Sequence, residues 1–321
     1  MEAKRPMLRR PSAGDRAAMD LWRQQILDTR ALSPPADNKC YWYEPLDEVA
    51  LSELLSVMCG KKPQDVVIDK VLGSYTLRIP ITMAKLKELI DNTGGVFPTV
   101  ERFFNNYLQR ESGPTRDFLI LDAYTIPEDG YYSLSIREME RNAAEANPGR
   151  PWHSYQRYFI PIGHLGHAFL GVVDRTRGAI YILDSYATPA DLRYRHRIRK
   201  LMEGMLEAFQ KLWNNLHGES ASSYFMTFKT VTDHQICPFL FGGKVRWDSS
   251  GLCPQQGMTD HCGLFQMVFM ECLARNLRFD FTVALMPYMR LRVALLLYQK
   301  YHLRLGFDSG VSHFFHSPRS G

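Results

Sequence analysis

The chain has 321 residues, 45% of them hydrophobic and 23% charged, with a formal net charge of +5. That composition is globular, with room for one large domain or two small ones. No run approaches the roughly eighteen apolar residues of a membrane span, and so mild a charge, without a concentrated basic face, argues against nucleic-acid recognition. The opening Met1-Glu2-Ala3-Lys4-Arg5-Pro6 lacks the apolar core of a signal peptide, so an intracellular protein, nuclear or cytoplasmic, is expected. Six cysteines scattered over this length read as free thiols.

Residues 1–38 are rich in Arg, Pro, Ser and Ala and read as a flexible basic extension, with one short helical pattern at Met19, Trp22 and Ile26. Its basic pairs, Lys4-Arg5 and Arg9-Arg10, read as a solvated tail, with a nuclear targeting signal as the alternative. Residues 39–63 read as a helical arm, because Val49, Leu51, Leu54, Leu55 and Met58 keep helical spacing over Glu44–Cys59 before Gly60. Leu86, Leu89 and Ile90 predict a second helix over Met83–Asn92. Phe103–Leu108 also reads as helix, Phe118–Asp122 as strand, and the polar stretch Ile126–Pro151 as a surface excursion.

Three short apolar runs follow, Tyr158–Ile162, Ala168–Val173 and Ala179–Leu183, the last two joined by the turn Asp174–Gly178. Their length and their β-branched and aromatic content predict neighbouring strands of a buried sheet. A long helix is expected over Asp191–Leu216, with a core stripe of Ile198, Leu201, Met202, Met205, Leu206, Phe209, Leu212, Trp213 and Leu216. Its arginines Arg193, Arg195, Arg197 and Arg199 read as a solvated face, or else as a contact for an acidic partner. A strand over Tyr224–Val231 and helices over Cys262–Asn276 and Tyr288–Tyr301 complete the pattern, which is α+β rather than a βαβ alternation.

The segment Gln256–Phe265 carries the chemistry. Cys262 follows a polar, turn-prone run and opens an apolar periodic segment, which predicts a thiol at a helix N-terminus. Free backbone N–H groups and the helix dipole favour a thiolate there. A nucleophilic cysteine needs a base, a group to orient that base, and donors for the oxyanion. His167 begins one predicted strand and Asp184 ends the next, so a hairpin would bring both to one sheet edge. His164 competes with His167, and Asp174 competes with Asp184 from the far end of the hairpin. Gln256 could supply an amide donor beside the Cys262 N–H. Spacing alone is only suggestive, since a lone histidine on a strand is usually structural and a lone aspartate before Ser-Tyr usually caps a turn. His234, Cys237, Cys253, His261 and Cys262 have irregular spacing for zinc, so neither metal nor cofactor is expected.

Four stretches in order resemble the ubiquitin-like-protein-specific cysteine proteases, the papain-like family that includes the SUMO-specific enzymes. They are Ile160-Pro161-Ile162 with His167, Leu170 and Val172-Val173-Asp174; Tyr181–Ser185; Pro254-Gln255-Gln256 with Cys262–Phe265; and Phe281-Thr282 with Met286–Arg290. The resemblance covers residues 64–303, leaving 304–321 as a tail. It implies a papain-like α+β fold, a central mixed sheet flanked by helices. It implies Cys262 as nucleophile, His167 as general base and then acid, Asp184 orienting it, and Gln256 with the Cys262 N–H as the oxyanion hole. It also implies substrate contact at Ala168, Phe169 and Gly263. The implied reaction is hydrolysis after the C-terminal glycine of a SUMO-like or ubiquitin-like modifier, through a thioester, by a monomer that needs no nucleic acid or membrane. The alternatives are an inactive modifier-binding relative and a thioester-mediated acyltransferase. Where the family usually has tryptophan after the histidine this chain has Ala168, and where it usually has aspartate before the cysteine this chain has His261. A second roofing tryptophan is not visible near residues 79–85.

Overall fold

The computed structural model describes residues 17, 20, 24, 48–59, 62–68, 81–91, 94–96, 98–111, 117–122, 124–125, 134–186, 191–218, 224–230, 254–275, 279 and 281–302. In chain order the elements are α1 (Glu48–Cys59), β1 (Val66–Ile68), β2 (Ile81–Thr82), α2 (Met83–Ile90), α3 (Pro98–Glu111), β3 (Phe118–Ile120), β4 (Tyr124–Thr125) and α4 (Ile136–Ala146). Then come β5 (Arg157–His164), β6 (His167–Asp174), β7 (Ala179–Leu183), α5 (Leu192–His217), β8 (Lys229–Thr230), α6 (Cys262–Arg275) and α7 (Met286–Leu297). The fold is α+β with a mixed sheet, ordered β3-β5-β6-β7-β8, and β4 also pairs with β5. β5, β6 and β7 are antiparallel neighbours, whereas β3 and β4 run parallel to β5 and β8 parallel to β7.

Side chains alternate across a strand, so a sheet buried on both faces needs near-continuous apolar strands. β7 does this with Ala179, Tyr181 and Leu183 on one face and Ile180 and Ile182 on the other. The first face packs against α1, α2, α3, α6 and α7, and the second against α4 and α5. β6 follows suit, with Leu170 and Val172 on the first face and Phe169 and Val173 on the second. The edge strand β3 is covered by Gln109 of α3, which accepts from Ile120 N–H at 2.8 Å and donates to Phe118 O at 3.3 Å. Such cover removes an open hydrogen-bonding edge. Among the described residues no helix is long and apolar enough to cross a membrane.

Two expectations are corrected. The stretch read as a surface excursion contains α4, with Met139, Asn142 and Ala143 buried. Ser135 and Glu138 form a capping box at its start, a signal available in the sequence as Ser-x-x-Glu. The strand expected from Tyr224 is instead a 3-10 turn at Phe225–Thr227 followed by the two-residue β8. Phe225 is buried against Phe209 and Trp213, so aromatic packing overrides strand propensity there. Smaller shifts occur at helix ends. α7 starts at Met286 because Pro287 suits a first helical turn, and Leu216 of the α5 stripe is 38% exposed. The expected helix at Met19–Ile26, apart from residues 17, 20 and 24, lies outside the described residues, as do Gly60, Asn92, Val231 and Asn276.

Candidate active site

The β5–β6 hairpin closes through Leu165 and Gly166, with φ of 49° and 75°. Positive φ at both central residues is the tight-hairpin geometry, and for leucine it is strained. The turn makes His167 the first residue of β6, while Asp184 immediately follows β7 on the same sheet edge. His167 Nε2 and Asp184 Oδ1 are 2.6 Å apart. Asp184 is almost fully buried, yet its oxygens are satisfied. Oδ1 also accepts from Tyr186 N–H at 2.8 Å, and Oδ2 accepts from the Tyr194 hydroxyl at 2.9 Å. These bonds fix the carboxylate plane, and through it the imidazole. Asp174 lies at the opposite end of β6, where it accepts from Arg177 N–H at 3.1 Å. His164 is buried at the end of β5.

Cys262 is the first residue of α6, half-buried and a free thiol. The groups that act on its sulfur are the His167 ring and the N–H groups of Ala168 and Gly263. With Nε2 committed to Asp184, the nitrogen facing the sulfur is Nδ1. Burial pushes the thiol up, but the His167 hydrogen bond, the backbone donors and the His167 charge outweigh it, and the net pKa is lowered. Burial likewise pushes His167 down. The hydrogen bonds to Asp184 and Cys262 and the charges of both outweigh that, and the imidazole is pushed up to about 9. A thiol with lowered pKa beside a histidine with raised pKa favours the thiolate–imidazolium pair.

Gln256 is anchored to the acid's own segment. Its N–H donates to Ser185 O at 2.8 Å, and its Oε1 accepts from the Ser185 hydroxyl at 2.8 Å. Its Nε2 donates to Thr259 O at 2.6 Å, which leaves one amide proton uncommitted by that bond. Gln255 Nε2 donates to Asp184 O at 3.0 Å, so the approach to Cys262 is tied to the end of β7 at two residues. Of the positions implied for substrate contact, Ala168 is half-buried beside the sulfur, Phe169 is 2% exposed in the core, and Gly263 is buried in the first turn of α6.

His261, where an aspartate was expected, is 6% exposed, and its Nδ1 accepts from Arg290 at 3.2 Å (Nη2) and 3.4 Å (Nε). Burial and the Arg290 charge push the ring down to about 4, so it is neutral. Sequence reasoning missed Tyr194, which looked like part of a solvated arginine-rich helix start, and Arg290, whose role arises only across 29 residues. Among the described residues no group of His, Cys, Asp and Glu is arranged to hold a metal ion. His234, Cys237 and Cys253 lie outside the described residues.

Residues 154–305 match the model of the Ulp1 protease family, C-terminal catalytic domain. Solved structures share the fold. The Ulp1-like SUMO protease catalytic domain of Chaetomium thermophilum is 19% identical, with a TM-score of 0.55, over 84% of this chain and 94% of that one. The C-terminal Ulp1 protease domain in complex with Smt3, the yeast ortholog of SUMO, is 18% identical, with a TM-score of 0.50, over 80% and 96%. The SUMO protease Ulp1 with its catalytic cysteine oxidised to a sulfenic acid is 18% identical, with a TM-score of 0.52, over 80% and 96%. No curated protein matches the chain.

Proposed function

We propose that this chain, whose residues 154–305 match the model of the Ulp1 protease family, is a cysteine protease of that kind and cleaves after the C-terminal glycine of a SUMO-like modifier, using Cys262, His167 and Asp184. The observation that carries the proposal is the 2.6 Å contact of His167 with Asp184 at one sheet edge, where His167 also lowers the pKa of the Cys262 thiol at the start of α6. The Cys262 thiolate attacks the glycine carbonyl carbon, and the carbonyl electrons move to oxygen. The Cys262 N–H and the second amide proton of Gln256 receive that oxyanion. The tetrahedral species collapses to a thioester as the His167 imidazolium gives its proton to the departing amine. His167, now neutral, takes a proton from water, whose oxygen attacks the thioester, and thiolate and imidazolium are restored. Asp184 holds the imidazole in register through both steps.

The surroundings support a protein substrate. Leu165 (62% exposed), Tyr186 (46%) and Met258 (95%) are apolar or aromatic side chains within a few residues of His167, Asp184 and Cys262. Leu165 holds its place at the cost of a strained φ, a feature that clusters at functional sites. Ala168 gives the substrate tail a methyl group where the family usually has an indole. Phe169 acts from beneath, its ring centroid 5.9 Å from that of His167. Gly263 acts through its N–H.

The test is cleavage of C-terminally extended precursors of SUMO, ubiquitin and NEDD8 by the wild type and by Cys262→Ala. The proposal expects the SUMO precursor to be cut after its terminal glycine by the wild type alone. Binding without cleavage would favour the modifier-binding reading instead, and cleavage retained in Cys262→Ala would remove the assigned nucleophile.

A further inference from the structure

Glu101 stands outside the expected triad and directly behind it. It lies on α3, 7% exposed, against the first turn of α6. A Cβ built on Gly263 would overlap Glu101 Oε1 and come within 3.4 Å of the Val96 side chain, so the carboxyl occupies the space that only a glycine leaves. The chain leading into α3 closes over the same turn. Gly95 approaches Asp260 O, and Gly94 O accepts from the Arg290 guanidinium that also holds His261.

An apolar side chain would fill this space without the desolvation cost of a carboxyl. We propose that Glu101 is a positioning residue for the reaction at Cys262: its carboxyl seats the first turn of α6 through Gly263. The proposal rests on the reading of Cys262 and His167 as the reacting pair. Burial pushes Glu101 up to about 7, opposed by the Arg102 charge on the same helix, so the carboxyl changes charge across neutral pH.

The experiment compares Glu101→Gln with the wild type by alkylating Cys262 with iodoacetamide from pH 6 to pH 8.5, mapped by mass spectrometry. Glutamine keeps the shape and removes the charge. Because it still fills the space at Gly263, the variant is expected to match the wild type in rate and in the pH midpoint of alkylation. A loss as large as that of Glu101→Ala overturns the proposal. Glu101→Ala, checked for folding by circular dichroism, should slow alkylation at every pH because the first turn loses its support, and an unchanged rate counts against the positioning role. His167→Gln separates the two readings. If it leaves Cys262 reactivity at pH 6 unchanged, the thiol–imidazole pair itself fails; if it slows the reaction while Glu101→Ala matches the wild type, only the role of Glu101 falls.

Discussion

At His261 a ring that titrates freely in the unfolded chain is held neutral, because burial and Arg290 both oppose its proton. Its ordinary pKa is 6.5 and its folded value about 4, so between those limits the unfolded chain binds more protons than the native one. Stability is therefore lost as pH falls from 6.5 towards 4, by up to about 3 kcal/mol from this group. His167 acts with the opposite sign, its contribution being full below pH 6.5 and lost as pH rises through about 9. Glu101 also opposes His261, since its raised pKa removes stability as pH rises from 4.5 to about 7. The difference between wild type and His261→Asn isolates the ring. Thermal melts from pH 7 to pH 4.5 should show the wild type losing more Tm than the variant, and parallel losses would contradict the assignment. The sequence makes Cys262, His167, Asp184 and Gln256 readable because strand ends and a helix start place them. Glu101, Tyr194 and Arg290 are hidden because their roles come from contacts between distant segments.

α6 is the element on which the site depends, and it is buried on nearly every side. Its apolar residues are evident in the sequence, but its two buried polar residues look out of place there. Glu271 is explained by its pairing with Arg275 and Arg292. Gln266 donates to Phe169 O at 2.6 Å and lies 3.4 Å from Ile162 O, which pins α6 to β5 and β6 just behind His167. Its Oε1 has no partner, so replacing the amide also removes a penalty. Gln266→Met should for that reason cost only about 1–2 kcal/mol, seen in calorimetry as a Tm lower by roughly 3–6 °C; an unchanged Tm would show that the amide does not hold the helix. The three central strands are legible as elements because continuous apolar runs bounded by turn residues have few other uses. α4 is less so, since its buried face of Met139, Asn142 and Ala143 contains a polar residue and looks solvated. The turn at Phe225 yields to packing that local propensity cannot foresee.

Across the whole molecule, two apolar cores lie on opposite faces of one sheet, and the candidate site sits where β6 begins, β7 ends and α6 starts. This places a thiol from one layer against a histidine and an aspartate from another, an arrangement that needs the entire fold rather than any single motif. The order and spacing of the motifs make the protease class legible, because several independent stretches must agree. The modifier is not legible in the same way, since its recognition depends on exposed side chains such as Leu165, Tyr186 and Met258, whose types carry no fixed spacing. The most direct test is to incubate the full chain with SUMO bearing a C-terminal electrophile and to locate the adduct by peptide mapping. The account predicts one covalent adduct, on Cys262, absent from Cys262→Ala and much slower to form in His167→Gln. An adduct on another cysteine, or none at all with folded protein, would contradict it.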